Sequence, residues 1–183
     1  DAFTELETEL ETELETRQKQ YQYYRDELLS FDGREDVRWA TIGEVCELVT
    51  SGGTPSTKNP GFYGGTIPWV RTSEVDYLPI RSTEITISEE GLKKSSAKWI
   101  PAYSVIVAMI GATAGKVAWN EIDVTTNQNC CNLIVDGDVA HYKFLYYWLC
   151  REYESLRALA PGAVPIINAA TIRQFGIPIP SLE

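Results

Sequence analysis

A glycine-flanked segment that ends in lysine, Gly111 to Lys116, has the composition of a phosphate-binding loop. In such a loop, backbone N–H groups surround the phosphates, the lysine contacts them, and a following Ser or Thr binds Mg²⁺. Here three residues separate the two glycines where the motif requires four, and Val117 occupies the position of the metal-binding hydroxyl. The segment therefore predicts a tight turn between two strands and no nucleotide site.

A second short motif, Asn59-Pro60-Gly61-Phe62, differs by one residue from the Asn-Pro-Pro-Phe or Asn-Pro-Pro-Tyr motif of amino-methyltransferases. In those enzymes, the asparagine side chain and the prolyl carbonyl hold the amine that is methylated. Gly61 replaces the second proline, and no glycine-rich loop for a methyl-donor cofactor precedes the motif. A surface turn is the favoured interpretation, and a stand-alone DNA amino-methyltransferase is the weaker alternative.

The other side chains that serve in catalysis or metal binding are sparse. His141 follows two acidic residues, Asp136 and Asp138, but a catalytic triad also needs a positioned nucleophile, and His141 fits the start of a helix. The four cysteines form no Cys-x-x-Cys pair, which argues against a zinc site and for reduced, buried thiols in a cytoplasmic protein. We therefore expect no catalytic residue, no metal and no cofactor.

Charge is distributed unevenly along the chain. The formal net charge is −10, which by itself disfavours binding to nucleic acid. Residues 1–36 carry 12 acidic and 4 basic side chains, whereas residues 37–183 carry 14 and 12. The N-terminal segment therefore holds most of the acidity. The remainder is nearly neutral, so it needs help to bind DNA, and it has local basic residues at Lys58, Arg71, Lys93, Lys94, Lys98 and Lys116.

The elements that must position these residues begin with a tetrapeptide repeat. Thr-Glu-Leu-Glu occurs three times over residues 4–15, and apolar residues recur at steps of three or four as far as residue 31. This spacing predicts an amphipathic helix of about 30 residues, roughly 45 Å long, that ends at Ser30, Asp32 and Gly33. Its single apolar stripe needs a second helix to pack against. The stripe residues expected to pack or dimerise are Leu6, Leu10, Leu14, Tyr21, Tyr24 and Leu28.

The repeat also predicts an adjustable spacer. One added or removed copy changes the helix length by about 6 Å and rotates the attached domain by roughly 40°. Arg17 falls within the stripe, where a polar residue either sets the register of a helix pair or extends to solvent. The chain lacks an initiator Met, and we expect it to be a fragment.

From Val37 onward the pattern is mixed and β-rich. Short alternating or β-branched runs predict strands, Glu89–Ser96 predicts a helical turn or two, and Tyr142–Leu159 predicts a longer helix. The fold class expected is α+β, with a long N-terminal coiled-coil-type helix over residues 1–32 and a domain over 37–183. No apolar run reaches membrane-spanning length. The predicted strands include Ile67–Val70, with Pro68 at a strand edge, Thr83–Ser88, Ser104–Ile110, Lys116–Asn120, Asn132–Val135 and Ile177–Pro180.

An ordered series of motifs over some 140 residues resembles the target recognition domain of type I restriction-modification specificity subunits. The helical segment 20–31 is similar to the end of the spacer in that family. The motifs are Ile42-Gly43-Glu44-Val45, Ser51-Gly52-Gly53-Thr54-Pro55-Ser56, Ile67-Pro68-Trp69-Val70, Ile87-Ser88-Glu89-Glu90-Gly91-Leu92, Ala97-Lys98-Trp99-Ile100-Pro101, Gly111 to Val117, Thr126-Asn127-Gln128 and Ile177-Pro178-Ile179-Pro180.

The resemblance implies a non-catalytic subunit that reads one half of a split site on double-stranded DNA. It also implies methyltransferase (M) and restriction (R) subunits as partners, which the helix is expected to dock. Members carry two recognition domains and two antiparallel spacer helices, whereas this chain has one of each. Either it associates with a copy of itself, or it is half of a larger subunit. A protein-interaction module that binds no DNA is the alternative function.

For the DNA contacts, the sequence predicts two sets of residues. Lys58, Lys93, Lys94 and Lys98 are expected on phosphates, although Lys93 and Lys94 also fit an ordinary solvated helix face. Arg71, Thr72, Ser73 and the turn from Thr113 to Lys116 are expected to read bases in the major groove. The glycine loop and Thr126-Asn127-Gln128 are interpreted as scaffold, and Gln128 as a base reader is the less favoured interpretation.

Overall fold

The computed structural model describes residues 2–31, 33–160, 162 and 164–180. Backbone contacts divide the chain into two compact units, Asp1–Arg34 and Glu35–Glu183. Among the described residues, no helix is both long and apolar enough to cross a membrane.

The first unit is a single long helix, α1, over Ala2–Leu28. This confirms the predicted N-terminal helix, although Leu28 is its last residue and the predicted stop at Asp32 lies outside the described residues. All six stripe residues are exposed within this unit. Arg17 is also exposed, and its guanidinium donates to the Gln20 side chain at 3.1 Å, so it extends along the helix surface.

The threonines of the repeat, and Thr16 directly after it, occupy a different face of α1. Thr8, Thr12 and Thr16 each donate a side-chain hydrogen bond, 2.8–2.9 Å long, to the carbonyl of the residue four positions earlier. Their hydroxyls are therefore satisfied within the helix. The leucine stripe is left as the apolar surface of the repeat.

In its described residues, the second unit combines ten short strands with short helices, as the α+β prediction requires. The strands are β1 (Val37–Thr41), β2 (Cys46–Ser51), β3 (Tyr63–Val70), β4 (Pro79–Ile80), β5 (Thr86–Ile87), β6 (Val105–Ala108), β7 (Val117–Asn120), β8 (Thr125–Thr126), β9 (Cys130–Val135) and β10 (Gly176–Pro180). The α-helices are α2 (Ile42–Val45), α3 (Glu89–Lys93), α4 (Tyr142–Arg151), α5 (Tyr153–Ala158) and α6 (Ala169–Arg173). The 3-10 helices are η1 (Pro60–Phe62), η2 (Thr72–Glu74) and η3 (Gly111–Thr113).

These strands form three sheets. The largest has the order β2-β9-β6-β7-β4, antiparallel except for the β4–β7 pair. A three-stranded sheet has the order β5-β3-β8, with β3 antiparallel to β5 and parallel to β8. The ribbon of β1 and β10 joins the two ends of the unit, with Val37 opposite Pro180.

The core follows the alternation of side chains across the five-stranded sheet. Ile106, Ala108 and Ala118 point to one face, where they pack in a cluster with Val70 of the three-stranded sheet. On the other face, the Trp119 ring packs edge-on against Tyr146 of α4, with their centroids 4.6 Å apart. The large sheet therefore lies between the small sheet and α4.

Several local predictions are confirmed. The glycines at 111 and 115 lie in a turn that contains η3 and joins β6 to β7. Asn59 starts η1, and its side chain accepts a hydrogen bond from the Gly61 N–H at 3.1 Å. His141 caps α4 by accepting from the Lys143 N–H at 3.2 Å.

Other local predictions are wrong. The predicted Tyr142–Leu159 helix breaks at Glu152, which separates α4 from α5 and leaves Leu156 buried but Leu159 44% exposed. Tertiary packing buries Leu156 and leaves Leu159 at the surface, and the spacing of the apolar residues does not predict this difference. Pro68 is interior to β3, which has a partner on each side. The predicted Thr83–Ser88 strand is shorter, as β5 covers Thr86–Ile87, although the Ile85 carbonyl also accepts from the Trp69 N–H at 3.1 Å. The elements β1, β4, β8 and α6 were not predicted.

Candidate nucleic-acid interface

Three of the four lysines predicted to contact phosphates lie around the junction of η1 and α3. Lys58 is in the turn before η1, Lys93 ends α3, and Lys94 follows it. Gly91 allows this junction, because a Cβ at that position would lie 2.4 Å from the carbonyl oxygen of Phe62. The close backbone contact therefore places η1, which Lys58 precedes, beside the helix that ends at Lys93.

Lys98 is connected to the glycine loop, residues 51–56. Its Nζ donates to the Thr50 hydroxyl at 2.9 Å, at the end of β2. A Cβ on Gly53 would lie 2.4 Å from the backbone nitrogen of Ala97, so only glycine permits this approach. The glycine loop thus sets the position of the segment that carries Lys98.

The loop also approaches the segment Thr126-Asn127-Gln128, as the scaffold interpretation expects. Gly53 N–H donates to the Thr126 carbonyl at 2.8 Å, and a Cβ on Gly52 would lie only 2.0 Å from that oxygen. Gln128 is exposed, and its side chain accepts a hydrogen bond from the Thr54 hydroxyl. Gln128 therefore ties the loop to the small sheet.

These four lysines, Lys58, Lys93, Lys94 and Lys98, are called the lysine surface below. All four are exposed. Within the described part of the chain, Lys94 alone among them forms an ion pair, with Glu90 at 2.7 Å on one exposed helix face. Exposed pairs of this type contribute little free energy, so the charges remain available to an anionic partner.

Arg71 is held differently, although it was predicted to read bases. Its backbone N–H donates to the Glu74 carboxylate at 2.9 Å, and that carboxylate also accepts from the Glu84 N–H at 2.9 Å. The guanidinium of Arg71 is paired with the Glu84 carboxylate. Thr72 and Ser73 lie in η2, directly beside this pair.

Lys116 is also paired within the chain. Its Nζ lies 2.5 Å from the Asp76 carboxylate and 5.7 Å from the centroid of the Tyr77 ring. Thr113, in the same turn, donates its hydroxyl to the Ile110 carbonyl at 3.4 Å. Arg71 and Lys116 are called the paired cations below.

Sequence reasoning missed the partners of these cations. Lys98 lies 48 positions from its partner Thr50, Arg71 lies 13 positions from Glu84, and Lys116 lies 40 positions from Asp76. No local spacing links residues this far apart. The pair Gly52-Gly53 was the available signal. It indicates that another backbone segment comes close, but it does not identify that segment.

Three of the four thiols, those of Cys46, Cys130 and Cys131, are unsuited to nucleophilic chemistry. Burial raises the pKa of both Cys46 and Cys131 to about 12, and it raises the pKa of Cys130 further. These thiols therefore stay protonated near neutral pH. No group of three or more His, Cys, Asp or Glu side chains suited to a metal ion occurs in the residues that the structure describes.

Comparison with known proteins identifies relatives of this chain. The specificity subunit of the type I restriction enzyme EcoR124I/EcoR124II from Escherichia coli is 36% identical over 190 residues, which cover 100% of this chain and 46% of that protein. The specificity subunit of the MjaIX enzyme from Methanocaldococcus jannaschii is 32% identical over 147 residues, covering 78% of this chain and 33% of that protein. The chain thus spans less than half the length of these relatives.

Solved structures share the fold. The HsdS subunit from Thermoanaerobacter tengcongensis matches 93% of this chain and 41% of its own, with a TM-score of 0.67 and 19% identity. A chain from a study of assembly and conformational transition in the type I R-M system matches 99% of this chain and 46% of its own, with a TM-score of 0.65 and 19% identity. The family model for the type I restriction modification DNA specificity domain matches residues 34–183. The chain therefore belongs to the type I restriction-modification DNA specificity family.

Proposed function

We propose that this chain is the DNA-reading part of a type I restriction-modification complex and that it performs no chemistry itself. Residues 37–183 form the recognition domain, which reads one half of a bipartite site on double-stranded DNA. Residues 1–32 form the spacer that sets the distance to the second half. The complex acts in the cytoplasm, where methyltransferase and restriction subunits join it.

The observation that carries this proposal is the lysine surface. It consists of four exposed lysines, three around the junction of η1 and α3 and one beside the glycine loop, on a domain whose overall charge is close to neutral. Contacts from lysine to phosphate release counterions and supply most of the sequence-independent affinity for DNA. Because the chain belongs to a DNA specificity family, we expect the anion that binds these lysines to be double-stranded DNA.

Base reading requires a different set of side chains. Arg71, Thr72, Ser73, Thr113 and Lys116 are our candidates, since the major groove presents a distinct donor and acceptor pattern for each base pair. Arg71 is the strongest, because its planar guanidinium can bond both O6 and N7 of guanine. In the free protein, the Glu84 carboxylate forms an ion pair with that guanidinium, and this pair has to break when DNA binds.

The spacer function rests on the exposed stripe of α1. Six large apolar side chains, Leu6, Leu10, Leu14, Tyr21, Tyr24 and Leu28, are 50–76% exposed on a helix of 27 residues. A second helix on this stripe removes that apolar surface from water. The partner is the helix of a second copy or of the other half of a larger subunit.

The test is a mobility-shift titration of the chain with its purified methyltransferase subunit. Methylation mapping in the source cell identifies the bipartite site, and the duplex carries either that site or one with the half-site scrambled. We expect tighter binding to the intact site by about a thousandfold. A complex that forms between the proteins but binds both duplexes equally contradicts the proposal and favours a protein-interaction module.

The spacer is tested by deleting one tetrapeptide, residues 8–11. A helix shorter by about 6 Å should shift the preferred gap between half-sites by about one to two base pairs, given 3.4 Å per step. Methylation mapping with the shortened chain measures the gap. A conservative control replaces residues 8–11 with Ala-Glu-Leu-Glu, which keeps the length, and it should leave the gap unchanged. An unchanged gap after the deletion contradicts the spacer function.

A further inference from the structure

Three aromatic rings of the second unit form a stack that the proposed DNA contacts do not use. The Tyr103 and Tyr142 ring centroids lie 5.3 Å apart with a tilt of 36°, and those of Tyr142 and His141 lie 4.6 Å apart with a tilt of 33°. Tyr103 is 56% exposed, and His141 is also exposed. The stack therefore presents aromatic surface to solvent.

The backbone of Tyr103 makes this exposure unusual. Its φ is 66°, in the left-handed region where a residue with a Cβ is disfavoured and glycine is not. Tyr77 has a similar φ of 60°, but its ring packs edge-on against Tyr153 and its carbonyl accepts the Tyr146 hydroxyl at 2.7 Å. Contacts offset the unfavourable conformation of Tyr77. The ring of Tyr103 gains far less burial, and such an outlier points to a functional role.

A cavity of about 240 Å³ adjoins the stack. Ala102, Ser104, Ile134 and Val135 line it together with the three rings. Its walls are mostly apolar, and the exposed ring of Tyr103 forms one of them. The space suits one long side chain with a planar end.

The charges around the cavity are mainly negative. Asp123 accepts a hydrogen bond from the Ala102 N–H at 2.8 Å, and Asp136 accepts one from the Asp138 N–H at 3.0 Å. These three aspartates form no ion pair among the residues that the structure describes. Glu121, by contrast, is neutralised by Arg81 at 2.7 Å.

The basic residue nearest to the stack in sequence is Lys143, which follows Tyr142. One lysine does not balance three carboxylates, so the surroundings of the stack repel phosphate and attract a cation. Nucleic acid is therefore an unsuitable occupant, and a cationic protein side chain is a suitable one.

We infer that this aromatic stack and its cavity bind an arginine side chain of the methyltransferase subunit. A guanidinium is planar and weakly hydrated, and it stacks on aromatic faces more readily than an ammonium group. The ring of Tyr103 provides the face, and the carboxylate of Asp123 provides the charge. The inference rests on the proposed function, since it names a contact on the second unit, beyond the expected docking on the helix, by which the DNA-reading chain holds its methyltransferase.

The first test compares Tyr103→Gly with Tyr103→Phe by titration of the purified methyltransferase subunit. Loss of the ring should weaken binding about tenfold, while Phe keeps the face and should bind nearly as wild type does. The melting temperature of the Gly variant should not fall, because glycine relieves the left-handed backbone. Equal binding by the Gly variant and the wild type overturns the inference.

The second test removes charge without removing a hydrogen bond. Asp123→Asn keeps an oxygen that accepts from Ala102, and it should weaken methyltransferase binding several-fold, more at low salt than at high salt. Glu154→Gln, an exposed carboxylate on α5, is the matched control and should have no effect. Equal effects of the two variants, or an effect on DNA affinity alone, overturn the inference. If the wild type fails to bind the methyltransferase subunit at all, the proposed function itself is wrong.

Discussion

The lysine surface and the paired cations differ in what their charges contact. Lys58 and Lys93 form no ion pair among the described residues, and Lys98 donates only to a neutral hydroxyl there. Lys94 pairs with Glu90, but its side chain is 60% exposed, against 32% for Arg71 and 28% for Lys116. Arg71 and Lys116 each contact a carboxylate in the same unit, those of Glu84 and Asp76. A count of basic residues treats these two groups alike, but their response to a phosphate differs.

The difference separates two tasks in DNA binding. A lysine without a carboxylate partner can neutralise a phosphate at no electrostatic cost within the protein. A paired cation must first lose its partner, so it gains little from a phosphate and more from a bonding pattern that fits its geometry. The lysine surface therefore suits affinity, and Arg71 suits selection among base pairs.

The largest expected effect follows from removing the lysine surface. Simultaneous Lys93→Ala, Lys94→Ala and Lys98→Ala should weaken binding to every duplex alike and lower the slope of log affinity against log salt by up to about 2.7, or 0.9 for each phosphate contact. Lys94 should contribute the least of the three because it pairs with Glu90. Salt titrations with the assembled complex measure this slope.

A matched triple variant separates location from net charge. Arg38→Ala, Lys143→Ala and Arg173→Ala remove three exposed positive charges elsewhere in the second unit. For this variant, the slope of log DNA affinity against log salt should stay close to that of the wild type. Equal slopes for both triple variants contradict a localised lysine surface.

The second effect concerns Arg71. Arg71→Ala should cost about 1–3 kcal/mol on the preferred site and relax the preference at one base pair, because a bidentate contact to guanine is lost. Glu84→Gln should act in the opposite direction and raise affinity, because the acceptor that competes with DNA is weakened. A selection from randomised half-sites measures both. An Arg71→Ala variant with unchanged preference at every position contradicts its role as a reader.

Much of the fold of each unit could be predicted from the sequence. The helical period gave α1, and the Gly-Gly pair marked the loop that packs against Thr126. The glycines at 111 and 115 were correctly interpreted as a turn, since their spacing failed the phosphate-loop pattern. These features depend on local chemistry, which a single sequence displays.

The electrostatic state of each cation could not be predicted in this way. Lys116 and Asp76 are separated by 40 positions, and they meet because β4 pairs with β7 at the sheet edge. The two-residue strands β4 and β8 have no periodicity to detect, yet they decide which side chains become neighbours. Tertiary pairing thus distinguishes the lysine surface from the paired cations.

The smallest expected effect concerns Lys116. Lys116→Met should change the free energy of unfolding by at most about 1 kcal/mol, because its partner Asp76 is largely exposed. The salt slope should fall by clearly less than the roughly 0.9 expected for a free lysine, since Asp76 already neutralises this charge. Asp76→Asn should then raise DNA affinity by releasing Lys116. If Lys116→Met lowers the slope as much as one lysine of the lysine surface does, the ion pair does not persist on DNA, and the two groups of cations act alike.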